Sequence, residues 1–329
     1  MKQLRGIHHI TAITSDAKRI YDFYTNVLGI RLVKKNVNQD DINTYHLFFA
    51  DDKGSPGTDM TFFDFKNIPQ HVQGTNDISR STFRVKDDES LNYWLKRFDH
   101  YDVKHSDIKH LFNKKFILFE DFDQQQYALV SDENNHGVAP GEPWYKGPVP
   151  NEFAIIGLGP VFLTVQSLSL MDTALTSLLH MTKISQEDDF HLYEMHTGGN
   201  GAEVIVEEKT DAPQAQQGYG GVHHVAFRVN DLEELYWWQD HFDTKNLRNS
   251  GYVDRFYFKS LYIRLYPNIL FELATDGPGF IDDQESYEIL GETLTLPPHL
   301  RHHQQHVEDT LKPFDSVRSN KVYEKEYFK

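Results

Sequence analysis

The chain contains no cysteine. Disulfides and thiolate metal sites are therefore excluded, and any metal must be held by imidazole and carboxylate groups. The same absence fits a reducing compartment, and the cytoplasm is the expected location. No run of 18 apolar residues occurs, and the N-terminal stretch lacks an apolar h-region. Neither a membrane helix nor a secretory leader is expected. Basic residues are in deficit, with 33 Lys and Arg against 49 Asp and Glu and a formal charge of −16. Such a surface repels phosphate backbones, so nucleic acid is not an expected partner.

What the chain does have is aromatic and imidazole side chains: 23 Phe, 17 Tyr and 18 His in 329 residues. The length accommodates about two domains of roughly 150 residues. Aromatic abundance suits pleated sheets. Some histidines, His302, His303 and His306, lie in a polar tail and read as solvated.

A repeat organises the sequence. Gly6-Ile-His-His-Ile10 returns as Gly221-Val-His-His-Val225, and His9 and His224 are 215 residues apart. The spacing around the first copy predicts a strand over 7–13, a helix from Asp16 to Leu28, then strands near 31–36, 45–50 and 59–65. Asp16 reads as an N-cap and Gly29 as a C-cap. The last copy predicts a strand over 222–229, a helix from Asp231 to about Phe242, and strands near 252–259, 261–265 and 269–274. Weaker copies begin at Ser81 and Val161. Four βαβββ modules follow, an α+β fold with two domains of cupped, barrel-like mixed sheet. Residues 1–135 would form the first pair of modules and 153–276 the second. A Pro- and Gly-rich linker spans 136–152, and 277–329 forms an extension with a short helix near 306–311.

Strand alternation sorts the side chains. Val225, Phe227 and Val229 share a face with His223 and should meet the module's own helix. His224, Ala226 and Arg228 take the other face. In the closing strands, Glu272 opposes Phe271 and Leu273, and Tyr262 opposes Leu261 and Ile263. His224, Glu272 and Tyr262 thus line one concave surface, and the repeat adds His9 with Thr11 on its side. His9, His224 and Glu272 form a two-His, one-carboxylate set with positions left open, as in non-haem Fe(II) oxygenases. Manganese or another divalent metal fits the same donors. An isolated strand His is more often a core or surface residue, and Glu272 could instead pair with Arg255 or Arg264. At the positions matching His9, the middle modules carry Arg80 and Val161, so only one metal site is expected, where modules one and four meet.

These residues resemble the vicinal oxygen chelate superfamily, and within it the ring-cleaving hydroquinone and catechol dioxygenases of the quinone-resistance type. The likeness rests on residues 6–10, on Gly221-Val-His-His-Val-Ala-Phe227, on Leu270-Phe-Glu-Leu-Ala-Thr-Asp-Gly-Pro-Gly-Phe280, and on Leu290-Gly-Glu with Leu296-Pro-Pro298. It implies iron ligands at His9, His224 and Glu272, and supporting roles for Thr11, His223, Arg255 and Tyr262. It implies a small dihydroxy-aromatic substrate, O2 as co-substrate, and ring opening with both oxygen atoms retained. Strict alternation turns His223, like His8, away from the cavity, unless a bulge returns it. The alternatives are a metal-dependent lyase or isomerase of the glyoxalase kind, which usually needs a further carboxylate where this chain offers Met60, Thr61 and Phe62, Asp59 or Asp64 serving only in another register, and a non-catalytic aromatic-binding protein. Self-association into a homo-oligomer is left open.

Overall fold

The computed structural model describes residues 2–282 and 284–328. Module one runs β1 (Ile7–Ile13), α1 (Ala17–Asp22, continuing as a π-helical turn over Phe23–Val27), β2 (Arg31–Asn38), β3 (Asp41–Ala50) and β4 (Asp59–Phe63). Module two is β5 (Asp77–Val85), α2 (Asp88–His100), β6 (Lys109–Leu111), β7 (Lys114–Glu120) and β8 (Gln126–Ser131). After β9 (Ile155–Leu158), module three is β10 (Val161–Val165), α3 (Leu168–Asp172, continued by Thr173–Leu178), β11 (Thr182–Glu187), β12 (Phe190–Glu194) and β13 (Glu203–Glu208). Module four is β14 (Gly221–Val229), α4 (Leu232–Thr244), β15 (Asn249–Asp254), β16 (Lys259–Leu265) and β17 (Ile269–Thr275). The extension carries α5 (Gln304–Thr310).

Aspartates start the helices as the sequence implies. Asp16, Asp87 and Asp231 each accept a hydrogen bond at 2.9 Å from the backbone N–H three residues on. Such a cap stabilises a helix by about 1 kcal/mol.

Modules one and four share an eight-stranded sheet, ordered β15-β16-β17-β14-β1-β4-β3-β2. Modules two and three share the other, ordered β11-β12-β13-β10-β5-β8-β7-β6, with β9 on β5. The antiparallel β1–β14 pair joins the first and last modules, so two strands far apart in sequence lie side by side. Behind β14 and β17, Val225, Phe227, Val229, Phe271 and Leu273 are buried with Leu235, Trp238 and Phe242 of α4. Burial of each large apolar side chain is worth roughly 1.5–3 kcal/mol. That packing directs the alternate residues, among them His224 and Glu272, to the concave face.

Two expectations need correction, on the strand near 252–259 and on His223. The strand near 252–259 ends at Asp254, and residues 255–258 leave the sheet as a turn with Phe256 at φ 68°. In the middle pair, Arg80 and Phe162 are cross-strand partners, with the guanidinium 5.5 Å from the ring centre. His223 does not pack toward α4, for the reason given below.

The extension braces the open side of the first sheet. Phe280 and Leu290 pack with Val33, Phe48, Tyr257 and Phe258 in a second apolar cluster. Lys34, fully buried, bonds Glu285 at 2.9 Å and Asp282 at 3.2 Å. Among the described residues, no helix is long and apolar enough to cross a membrane.

Candidate metal centre

His9 lies on β1, His224 on β14 and Glu272 on β17, three adjacent strands of one sheet. Glu272 Oε2 is 3.1 Å from His9 Nε2 and 2.9 Å from His224 Nε2, and the two Nε2 atoms are 3.3 Å apart. All three residues are buried, at 5% exposure or less. Glu272 meets neither Arg255 nor Arg264, which bond Asp40 and the Asn268 carbonyl instead.

Local sequence explains how consecutive histidines can both serve. The β1–β14 register pairs Ile7 with Phe227 and then His9 with Ala226, leaving His8 as an extra residue. It pairs Thr11 with His224 and then Ala12 with Val222, leaving His223 extra. Each His pair therefore carries a β-bulge, which re-aims a side chain that strict alternation would turn away. His8 Nδ1 is 2.9 Å from His9 Nδ1, and His223 Nδ1 is 2.8 Å from His224 Nδ1. For His9 Nε2 to offer a lone pair, its proton must sit on Nδ1, where His8 accepts it. His8 then donates from Nε2 to the Thr275 carbonyl at 3.1 Å. His223 accepts from His224 in the same way.

Electrostatics agree with neutral His8 and His223 behind an ionised Glu272. Burial, helped by His9, lowers the His8 pKa to about 3. Burial, helped by His224, lowers His223 to about 3 as well. Burial pushes Glu272 upward, but His9 and His224 outweigh it and hold the carboxyl well below its usual range. Ser260 Oγ donates to Glu272 Oε1 at 2.5 Å. Oε2 is buried and accepts no hydrogen bond of sound geometry among the described residues. A buried carboxylate oxygen left so is costly. Three converging donor atoms, all within 4.8 Å of one another, can hold one divalent cation that resolves this cost.

A cavity of about 370 Å³ opens onto the three donors. Tyr262 and Arg255 both line it. Arg255 Nε donates to the Tyr262 hydroxyl at 3.0 Å, and its Nη2 meets Asp40 at 2.9 Å. Burial, and then the charge of Glu272, raises the Tyr262 pKa, so the phenol keeps its proton. His223 also lines the cavity, against Phe63 and Phe65. Thr11 does not reach it. That side chain is fully buried and bonds Thr61 Oγ1 at 2.8 Å.

Thr61 also decides the matter of a further ligand. It pairs with Thr11 as Glu272 pairs with Ala226, two residues after the ligating His in each module. A threonine thus occupies the position a second carboxylate would need. Asp64 is engaged with the Tyr45 N–H at 2.7 Å. Asp59 is paired with His9 in the backbone register, and its side chain is absent from the cavity lining.

The cavity also contains residues that the repeat did not single out. His46 lies between Phe48 and Phe63, and Phe258 packs 5.1 Å from both His8 and His9. His46 and Phe48 are two residues apart on β3, so period-two alternation already placed them on one face. Phe258 gave no such signal, because it stands on a turn.

A sequence model of the Glyoxalase/Bleomycin resistance protein/Dioxygenase superfamily matches residues 6–129. The chain is 43% identical to "Putative ring-cleaving dioxygenase MhqA" of Bacillus subtilis (strain 168), over 94% of this chain and 99% of that protein. It is 29% identical to chlorohydroquinone/hydroquinone 1,2-dioxygenase of Sphingobium indicum, covering 91% and 93%. The crystal structure of a "putative dioxygenase" from Bacillus subtilis superposes with a TM-score of 0.87 at 33% identity, covering 96% and 99%. Glyoxalase I from Zea mays shares the fold, with a TM-score of 0.58 at 12% identity over 82% and 92%. The chain belongs to the glyoxalase/bleomycin resistance protein/dioxygenase superfamily, as an enzyme of its ring-cleaving dioxygenase branch.

Proposed function

We propose that the protein is an Fe(II)-dependent, extradiol-type ring-cleaving dioxygenase acting on hydroquinone- or catechol-like aromatics. The observation that carries this reading is the meeting of His9, His224 and Glu272 at one end of an aromatic-lined cavity. Two imidazoles and one carboxylate are the donor set of non-haem Fe(II) oxygenases. The similarity to the Sphingobium chlorohydroquinone/hydroquinone 1,2-dioxygenase supports a hydroquinone-like ring.

A ferrous ion held there would lower the pKa of a phenol and supply the electron exchange that O2 requires. The protein's own groups do the rest. Phe48, Phe63, Phe65 and Phe258 form apolar walls that take a flat ring and exclude water. Tyr262, accepting from Arg255, keeps its own proton available for a substrate oxygen. Arg255 stabilises negative charge that develops at that oxygen. His223 and His8 hold the ligand imidazoles in the tautomer that leaves Nε2 free. Thr11 supports the site from behind, through Thr61.

The glyoxalase-type reading calls for a fourth protein ligand, and Thr61 at the matching position argues against it. The test is anaerobic reconstitution with Fe(II), followed by oxygen uptake with methylhydroquinone, catechol and the methylglyoxal–glutathione adduct. Uptake is expected with one or both aromatics and not with the adduct. Turnover of the adduct without oxygen uptake would overturn the proposal.

A further inference from the structure

Modules one and four face each other across the cavity with matching parts. On β16, Tyr262 stands opposite Glu272 and Ser260 opposite Ala274. On β3, Phe48 stands opposite Thr61 and His46 opposite Phe63. Thr61 therefore takes the place of Glu272, Phe48 that of Tyr262, and His46 that of Ser260. The hydrogen bonds correspond too. Ser260 Oγ meets Glu272 at 2.5 Å, and His46 Nε2 meets Thr61 Oγ1 at 3.0 Å. Thr61 Oγ1 continues to Thr11 Oγ1 at 2.8 Å.

Replacing a carboxylate by a hydroxyl has two consequences. Module one then contributes His9 alone to the centre, where module four contributes both His224 and Glu272. An imidazole then stands beside Thr61, in a wall otherwise made of Phe48, Phe63 and Phe65. Its ring centre is 3.9 Å from that of Phe48 and 4.4 Å from that of Phe63. Burial, and then the neighbouring His9 and His224, depress its pKa well below the usual range, so it is neutral. Nε2 is committed to Thr61, and Nδ1 has no protein partner among the described residues, while the ring lines the cavity. His46 is half-buried and Nδ1 is not among the buried unpaired atoms, so a ligand hydroxyl entering the cavity can replace water on it. Neutral imidazole is donor or acceptor according to tautomer, and a phenolic hydroxyl complements either.

We propose that His46 is a specificity-determining residue of this cavity: its Nδ1 hydrogen-bonds the ring hydroxyl that is not held at the His9–His224–Glu272 centre. The inference rests on the proposed dihydroxy-aromatic substrate and assigns the residue that reads the second hydroxyl. A hydroquinone has such a distal group. Phenol lacks it, and catechol carries both hydroxyls on adjacent carbons at the centre.

The test compares anaerobic binding of hydroquinone, phenol and catechol to the zinc-loaded protein by calorimetry. Two variants separate the ring nitrogens. The H46N amide reproduces the Nδ1 side, and the longer H46Q amide reproduces the Nε2 bond to Thr61. H46Q should lose about 10-fold in hydroquinone affinity, the worth of one hydrogen bond, with phenol changed by less than about twofold. H46N should retain most of the preference. H46F, which keeps the aromatic stack, should behave as H46Q, and if it fails to fold the two amide variants still decide. Hydroquinone binding by H46Q within about twofold of the unaltered protein would overturn the inference and leave the proposed function standing. Failure of the unaltered protein to bind any of the three would overturn both.

Discussion

His9 and His224, 215 residues apart in the chain, bring their Nε2 atoms to 3.3 Å. Each follows a bulged histidine that bonds its Nδ1. The pair spans the β1–β14 junction, so the ligand set exists only when the first and last modules are docked. Metal binding and folding of that sheet are accordingly linked.

Removing an imidazole should remove the metal. His224→Ala is expected to lower affinity for Fe(II) by more than about 100-fold, beyond the loss typical of outer-shell changes, and to abolish turnover. Metal content after dialysis, with oxygen uptake on the same samples, checks this. A variant that retained both would remove His224 from the centre.

His8 should act through His9. His8→Phe keeps the ring but deletes the acceptor for His9 Nδ1. Metal affinity should fall by about 10–100-fold, with the thermal transition of the loaded protein shifting down at limiting metal. Unchanged affinity would show that the tautomer needs no such support.

Tyr262→Phe separates chemistry from metal binding. The hydroxyl lost is the one bonded by Arg255 at 3.0 Å. Bound metal should be unaffected, while kcat falls by roughly 10²-fold or more, the usual share of a positioned acid. Equal losses of metal and activity would instead make Tyr262 structural.

Lys34→Met tests the brace. Lys34 is buried between Glu285 and Asp282, and its removal leaves two carboxylates without their cation. Breaking a buried pair on one side costs about 3–5 kcal/mol. Urea unfolding should register that loss, and proteolysis should open the chain within residues 277–300 first. Cleavage elsewhere would show that the extension is held by its apolar contacts.

Asp64 predicts a pH effect independent of the metal. Burial raises its pKa to about 6, above the unfolded value of about 3.9. The folded state therefore binds more protons between these values, and stability falls as pH rises from about 4 to 6. Asp64→Asn keeps an acceptor for the Tyr45 N–H. It should leave stability unchanged below about pH 4 and raise it at pH 8, by up to about 3 kcal/mol at 1.4 kcal/mol per pH unit. Parallel denaturation curves at the two pH values decide; an equal effect at both would rule out titration of this group.

Much of the site was legible because its signals are local. The duplicated His-His at a constant offset marked matching strands, and alternation around Phe271 and Leu273 set Glu272 on the concave side. His223 was misplaced because alternation assumes an unbroken ladder, and the bulge appears only in the cross-strand register. Phe258 was out of reach because the segment read as strand turns away after Asp254. His46 carried the period of its strand, yet only the pairing of β3 with β4 set it beside Thr61.

The sequence by itself determined the module, its repetition and the chemistry of the three donor atoms, since these follow from spacing and side-chain type. Only the tertiary structure decided the strand register in which modules one and four meet, that both leading histidines sit on bulges against the ligand rings, and that His46 stands beside Thr61. The reason is physical: periodicity states which face a side chain takes, whereas the neighbour across that face depends on strands joined by hydrogen bonds over 200 residues of chain.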